Sequence, residues 1–97
     1  MNIETSGTNV VPRITLTGSL NTNTASQLES TLEPLLEKAE AITFDFADLE
    51  YVSSAGLRVL MMAYKRLNGG TVSIENATDD VREVFDITGF SDIFSIS

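Results

Sequence analysis

Two adjacent serines, Ser53 and Ser54, followed by Ala55, Gly56, Leu57 and Arg58, are the residues whose types and spacing could do chemistry in this chain. They come after the acids Asp48 and Glu50 and before an amphipathic run over residues 57–67. That order puts both serines at or near a helix N-terminus, where backbone N–H groups lack intrahelical partners and the dipole is positive. A hydroxyl there can cap the helix, or carry a phosphate that the dipole favours. On spacing alone, capping is the ordinary role. Ser54 as a catalytic nucleophile is the rival from another class. It fails because the chain has no histidine to act as base and Lys65 lies too far along the helix. Arg58, four residues after Ser54, can meet a phosphate there or an acid on a partner, or simply be solvated.

Other chemistries find little support. Without cysteine there is no disulfide or thiol chemistry. The acidic pairs Asp79 with Asp80 and Asp45 with Asp48 lack metal-loop spacing, so no metal and no cofactor is expected. Gly69 and Gly70 precede a strand, not a helix, so they do not form a phosphate loop. Fourteen acids against six bases give a net charge of −8, which opposes nucleic acid and anionic membrane. No apolar run approaches the ~20 residues of a membrane span, and the first residues lack a signal-peptide pattern. The expectation is one soluble, cytoplasmic, non-enzymatic domain over residues 1–97.

The elements that must position the serines follow from periodicity. Residues 2–17 read as two strands around a turn at residues 7–9, with Ile14 and Leu16 alternating against Arg13, Thr15 and Thr17. Pro12 marks an edge or bulge, and Gly18 ends the run. Thr24 with Gln27 is a candidate capping box for a helix whose apolar face holds Ala25, Leu28, Leu32, Leu35, Leu36 and Ala39. Pro34 should kink or divide it, although the apolar stripe continues through it. Residues 41–46 form a strand with Ile42, Phe44 and Phe46 on one side, and residues 48–50 form a turn. The helix after the serines has a core stripe of Leu57, Leu60, Met61, Tyr64 and Leu67. Its outer side carries Arg58, Met62, Lys65 and Arg66, with half of the chain's six cations. A strand at residues 71–75 follows, then a helix capped by Thr78 with Val81, Val84, Phe85 and Thr88 inward and Gly89 closing it. The tail at 91–97 is a short strand or docked turn. The fold class is α/β, with a mixed sheet of four to five strands and helices mainly on one face.

The segment LEYVSSAGLRVL, residues 49–60, resembles the signature of bacterial anti-sigma-factor antagonists, the single-domain STAS proteins. Their usual form is an Asp-Ser-Ser-Gly turn opening the second helix, followed by Leu and an apolar stripe. Ser53 takes the aspartate position, Ser54 that of the phosphorylated serine, Ala55 the second serine and Gly56 the glycine. TGSLNTNTA, the GG-T-V-S-I strand and ITGF also fall where the family has counterparts. The resemblance implies a compact STAS fold and phosphorylation at Ser54, with Ser53 as the alternative acceptor. It implies a partner-binding set of Asn21, Ser53, Ser54, Ala55, Gly56, Arg58 and Met62. The implied partners are an anti-sigma factor with serine kinase activity and a serine phosphatase. The unphosphorylated form would bind the kinase and free the sigma factor, and the phosphorylated form would let go. Asn21 stands where the family commonly has aspartate, and reads equally as a helix-entry residue or a site residue. The alternative is a STAS scaffold or sensor in another pathway, unphosphorylated, with Ser54 purely a cap.

Overall fold

Alternating side chains in two neighbouring strands set the plan of this molecule. Ile14, Leu16 and Leu20 from β2 (Pro12–Leu20) and Ile42, Phe44 and Phe46 from β3 (Ala41–Val52) are fully buried on one face. Their sequence neighbours Arg13, Thr15, Thr43 and Asp45 are half-buried on the other. The computed structural model describes residues 1–96. Around these two strands it places β1 (Asn2–Gly7), α1 (Thr22–Leu36), α2 (Ser54–Leu67), β4 (Thr71–Glu75), α3 (Asp79–Thr88), a single 3₁₀ turn at Phe90–Asp92 and β5 (Ser95–Ile96). The sheet runs β1-β2-β3-β4-β5. β1 and β2 form an antiparallel hairpin, and the remaining pairs are parallel. The mixed sheet with helices on one face is thus as the periodicity requires. No helix among the described residues is long and apolar enough to cross a membrane.

The core is the apolar face of that sheet together with Leu28 and Leu32 of α1, Leu60 and Ala63 of α2, and Phe85 of α3. Phe85 stacks on Phe46 at 6.3 Å and meets Phe94 edge-on at 5.9 Å, so the last segment is held by rings as well as by β5. The inner side of α3 is narrower than expected. Val81 and Phe85 are buried, while Thr88 is exposed and turns its hydroxyl back to the Val84 carbonyl. Pro34 stays inside α1, within its last turn.

Three expectations are corrected. The acidic stretch at residues 48–50 is not a turn: β3 continues through it to Val52. Pairing to β2 slips between Thr15 and Thr17 and again between Gly18 and Ser19, so β3 carries an extra residue at each irregularity. Inward positions therefore run Phe46, Leu49, Val52, spaced by three and not two, and Asp48 and Glu50 remain exposed. Gly18 likewise does not end its strand. It sits within β2 at φ 108°, a conformation open to glycine, where the second slip occurs. Asp45 supports the first irregularity: its Oδ1 accepts from Ala47 N at 3.1 Å and from Asn76 Nδ2 at 3.2 Å. These bonds, the Ala47 one first, together with Arg13, hold the Asp45 carboxyl below the ordinary carboxylate range.

The third correction concerns Met61, expected in the core stripe of α2. It is half-buried on the outer side, and Val59 and Ala63 are buried in its stead. The reason is that α2 packs on α1 as well as on the sheet, which turns its buried face towards the neighbouring helix. Leu60, at 0% exposure, lies at the centre of that face. Leu60→Ala should cost about 2–5 kcal/mol in urea unfolding, while Met61→Ala should cost less than about half as much. Equal costs would show that the helix faces the core differently.

Candidate functional site

The site is built where two parallel strands end side by side. Leu20 pairs with Val52, and each strand turns directly into a helix: β2 into α1 through Asn21, and β3 into α2 through Ser53. The two corners are tied together, since Ser53 N donates to the Leu20 carbonyl at 2.8 Å. They also touch. A Cβ on Gly56 would lie 2.6 Å from Leu20 Cγ and 3.2 Å from the Leu20 carbonyl oxygen, so only glycine lets the first turn of α2 lie this close to the strand end.

The two serines divide the roles left open by spacing. Ser53 is the cap: its Oγ accepts from Gly56 N at 3.2 Å, and its backbone carbonyl accepts from Leu57 N at 2.9 Å. Serine and aspartate cap helices about equally well, so a serine at this position keeps the cap. Ser54 is the first residue of the helix and is exposed, and its hydroxyl forms no hydrogen bond among the described residues. The N–H groups of Ser54 and Ala55 lie beyond the reach of any intrahelical acceptor. A nucleophile-sized hydroxyl is thus presented to solvent beside free donors at the positive end of a dipole.

Asn21 caps α1. Its Oδ1 accepts from Asn23 N at 2.9 Å and Thr24 N at 3.0 Å, while Thr24 Oγ1 accepts from Asn21 N at 2.8 Å. This box replaces the expected pairing of Thr24 with Gln27. The helix begins one residue after the strand, so Thr24 falls at the third helical position and supplies the return bond itself. The Asn21 carbonyl oxygen is accordingly engaged in its own helix and not turned towards the serines.

Of the remaining sequence-singled residues, Ala55 and Met62 are half-buried at the edge of the core, Gly56 is buried, and Arg58 is exposed. Ala55, Arg58, Val59 and Met62 form one wall of an open groove of about 380 Å³, and Thr22, Ala25, Ser26 and Glu29 of α1 form the other. On the far side of Arg58 and Met62, the outer surface of α2 has a second shallow depression lined by Met61, Lys65 and Arg66. Arg66 also reaches across to Glu33 of α1 at 3.0 Å, an exposed pair of small energetic weight. At the same end of the sheet, Asp48, Glu50 and Asp80 line an acidic hollow with Thr17, Gly18 and Thr78. The α1 wall was missed in the sequence. In the sequence Ala25 reads as part of the apolar face of its helix and Glu29 lies off that face, so nothing there marks a groove against a second helix.

A protein-family model described as Mlab, STAS domain, matches residues 3–95. The chain is 39% identical over 85 residues to BtrV of Bordetella bronchiseptica, a protein provisionally assigned as an anti-sigma factor antagonist; the match spans 84% of this chain and 73% of that one. It is 31% identical over 87 residues to the anti-sigma-B factor antagonist of Bacillus subtilis, spanning 88% of this chain and 80% of the relative. Among solved structures, the anti-sigma factor antagonist SpoIIAA in its unphosphorylated form superposes with a TM-score of 0.87 at 19% identity, covering 99% of this chain and 88% of that one. The phosphorylated form of Bacillus SpoIIAA superposes with a TM-score of 0.77 at 18% identity, covering 99% and 91%.

The division of labour between the serines has a stability signature. Ser53→Ala should lower the unfolding free energy by about 1 kcal/mol through loss of the cap, whereas Ser54→Ala should change it by less than about 0.5 kcal/mol. Urea unfolding of the two variants beside the parent measures both. The reverse order would assign the cap to Ser54.

Proposed function

Since this chain belongs to the STAS family of anti-sigma factor antagonists, regulatory binding proteins and not enzymes, we propose that it is the binding half of a phosphorylation switch. Unphosphorylated, it binds an anti-sigma factor with serine kinase activity in the cytoplasm, and the sigma factor is released. The kinase then transfers the γ-phosphoryl group of ATP to Ser54 Oγ; the hydroxyl proton is lost, ADP leaves, and the complex dissociates. A serine phosphatase restores the hydroxyl. Ser53, Ser54, Ala55 and Gly56, with Arg58 and Met62, form the contacting face, and Asn21 supports it by fixing the neighbouring helix start.

One observation carries this reading: the Ser54 hydroxyl is exposed and unengaged because Ser53 supplies the cap. SpoIIAA structures in the unphosphorylated and the phosphorylated form both superpose on this chain, with TM-scores of 0.87 and 0.77, which supports a modification that this fold tolerates. The electrostatics agree. A phosphoserine adds about −1.5 to −2 charges, which a helix N-terminus accommodates. The adjoining surface already carries Asp48 and Glu50, so a partner would meet a sharply more negative face.

The test uses the anti-sigma kinase that the wild-type protein captures. After incubation with ATP, mass spectrometry should place the phosphate on Ser54. Ser54→Ala should bind and stay unmodified. Ser54→Asp should keep its circular dichroism spectrum yet bind at least about tenfold more weakly, a change of 1.4 kcal/mol. Phosphate on neither serine, with both variants binding normally, would overturn the switch and leave a scaffold.

A further inference from the structure

We propose that Arg58 reads the state of Ser54. With a free hydroxyl at Ser54, Arg58 presents its charge to an acidic group of the partner at the groove between α1 and α2. With a phosphate there, it folds back as the phosphate's counter-ion and leaves the groove. This rests on Ser54 being the phosphoacceptor, as argued above.

Position supports the pairing. Ser54 and Arg58 are both exposed and stand four residues apart on α2, which brings their Cβ atoms to about 5–6 Å. Helical side chains lean towards the N-terminus, so a long side chain at 58 covers the turn that begins with Ser54. An anion preceding a cation by four residues is also the orientation the helix dipole favours. Guanidinium can grip a phosphate with two parallel hydrogen bonds, which an ammonium cannot do.

Availability supports it too. Arg13 is bound to Asp45 at 3.1 Å and Glu75 at 2.8 Å, and Arg66 to Glu33 at 3.0 Å. Arg58 forms no ion pair or hydrogen bond among the described residues. The charged group facing it across the groove is Glu29 of α1, and Lys65 follows about two turns further along α2. A phosphate approaching two negative charges, held on the same helix, outcompetes the single carboxylate of Glu29 on the next one.

The consequence is a switch with two arms. Phosphorylation adds negative charge at Ser54 and, by the same event, removes the positive charge that an acidic partner group uses at the groove.

The experiment installs phosphoserine at position 54 by genetic encoding, so it needs no kinase. The second ionisation of that phosphate is then followed by ³¹P NMR. Arg58 should lower its pKa by about 0.15–0.4 relative to Arg58→Gln, with Arg58→Lys in between. Coincident titrations of the parent and Arg58→Gln would overturn the pairing, whatever the kinase does. In the unphosphorylated protein, Arg58→Gln should weaken binding of the captured partner at least threefold. An unchanged affinity would overturn the role at the groove. If the kinase instead leaves Ser54 unmodified, the switch reading itself fails, and the titration still reports on the pairing.

Discussion

Everything at the candidate site depends on how closely the first turn of α2 can lie against the end of β2. The hydrogen bond from Ser53 N–H to the Leu20 carbonyl fixes the approach, and the missing side chain at Gly56 permits it. With the helix start pinned there, Ser53 must point back along the helix to cap it, and Ser54 must point outward. A larger residue at 56 would push the turn away from Leu20 and disturb both roles together. The exposed hydroxyl is thus a consequence of packing and not a separate feature.

The same end of the sheet shows why the surroundings are acidic without acids being buried. The two slips in pairing between β2 and β3 change the inward spacing from two to three. Leu49 and Val52 can then both enter the core while Asp48 and Glu50 stay in water. Regular pairing would have turned Asp48 and Glu50 inward, at a desolvation cost of several kcal/mol each. The irregular strand therefore places negative charge beside the serines. The outer face of α2 places Arg58, Lys65 and Arg66 on the other side of them. The surface around the serines is thus a boundary between the two signs, one that the proposed phosphate at Ser54 would move.

The sheet, the order of the elements and the three helices were legible because period-two and helical spacing each persist long enough to be read. The serines were legible as a helix start, and Gly56 as part of it through the family signature. What stayed hidden has local causes. The acids at 48–50 carry no alternation, because the bulges break it, so they read as a turn. Asn21 is a better cap than Thr24, but only the position of the strand end decides between them. Met61 and Val59 exchange places because the buried face of α2 is set by α1, and one helix's own periodicity does not record its neighbour. Which serine caps and which is free also follows from contact with Leu20, more than thirty residues earlier in the chain.

The central claim is that Ser53 alone holds the cap, so that Ser54 can accept a phosphate without cost to the fold. Urea unfolding of the protein carrying genetically encoded phosphoserine at 54, compared with the unmodified protein, tests it most directly. Equal stability, or a gain of up to about 1 kcal/mol from the helix dipole, is the predicted result. A loss of more than about 1 kcal/mol would contradict the account, since it would mean that the Ser54 hydroxyl is part of the structure that holds the helix start.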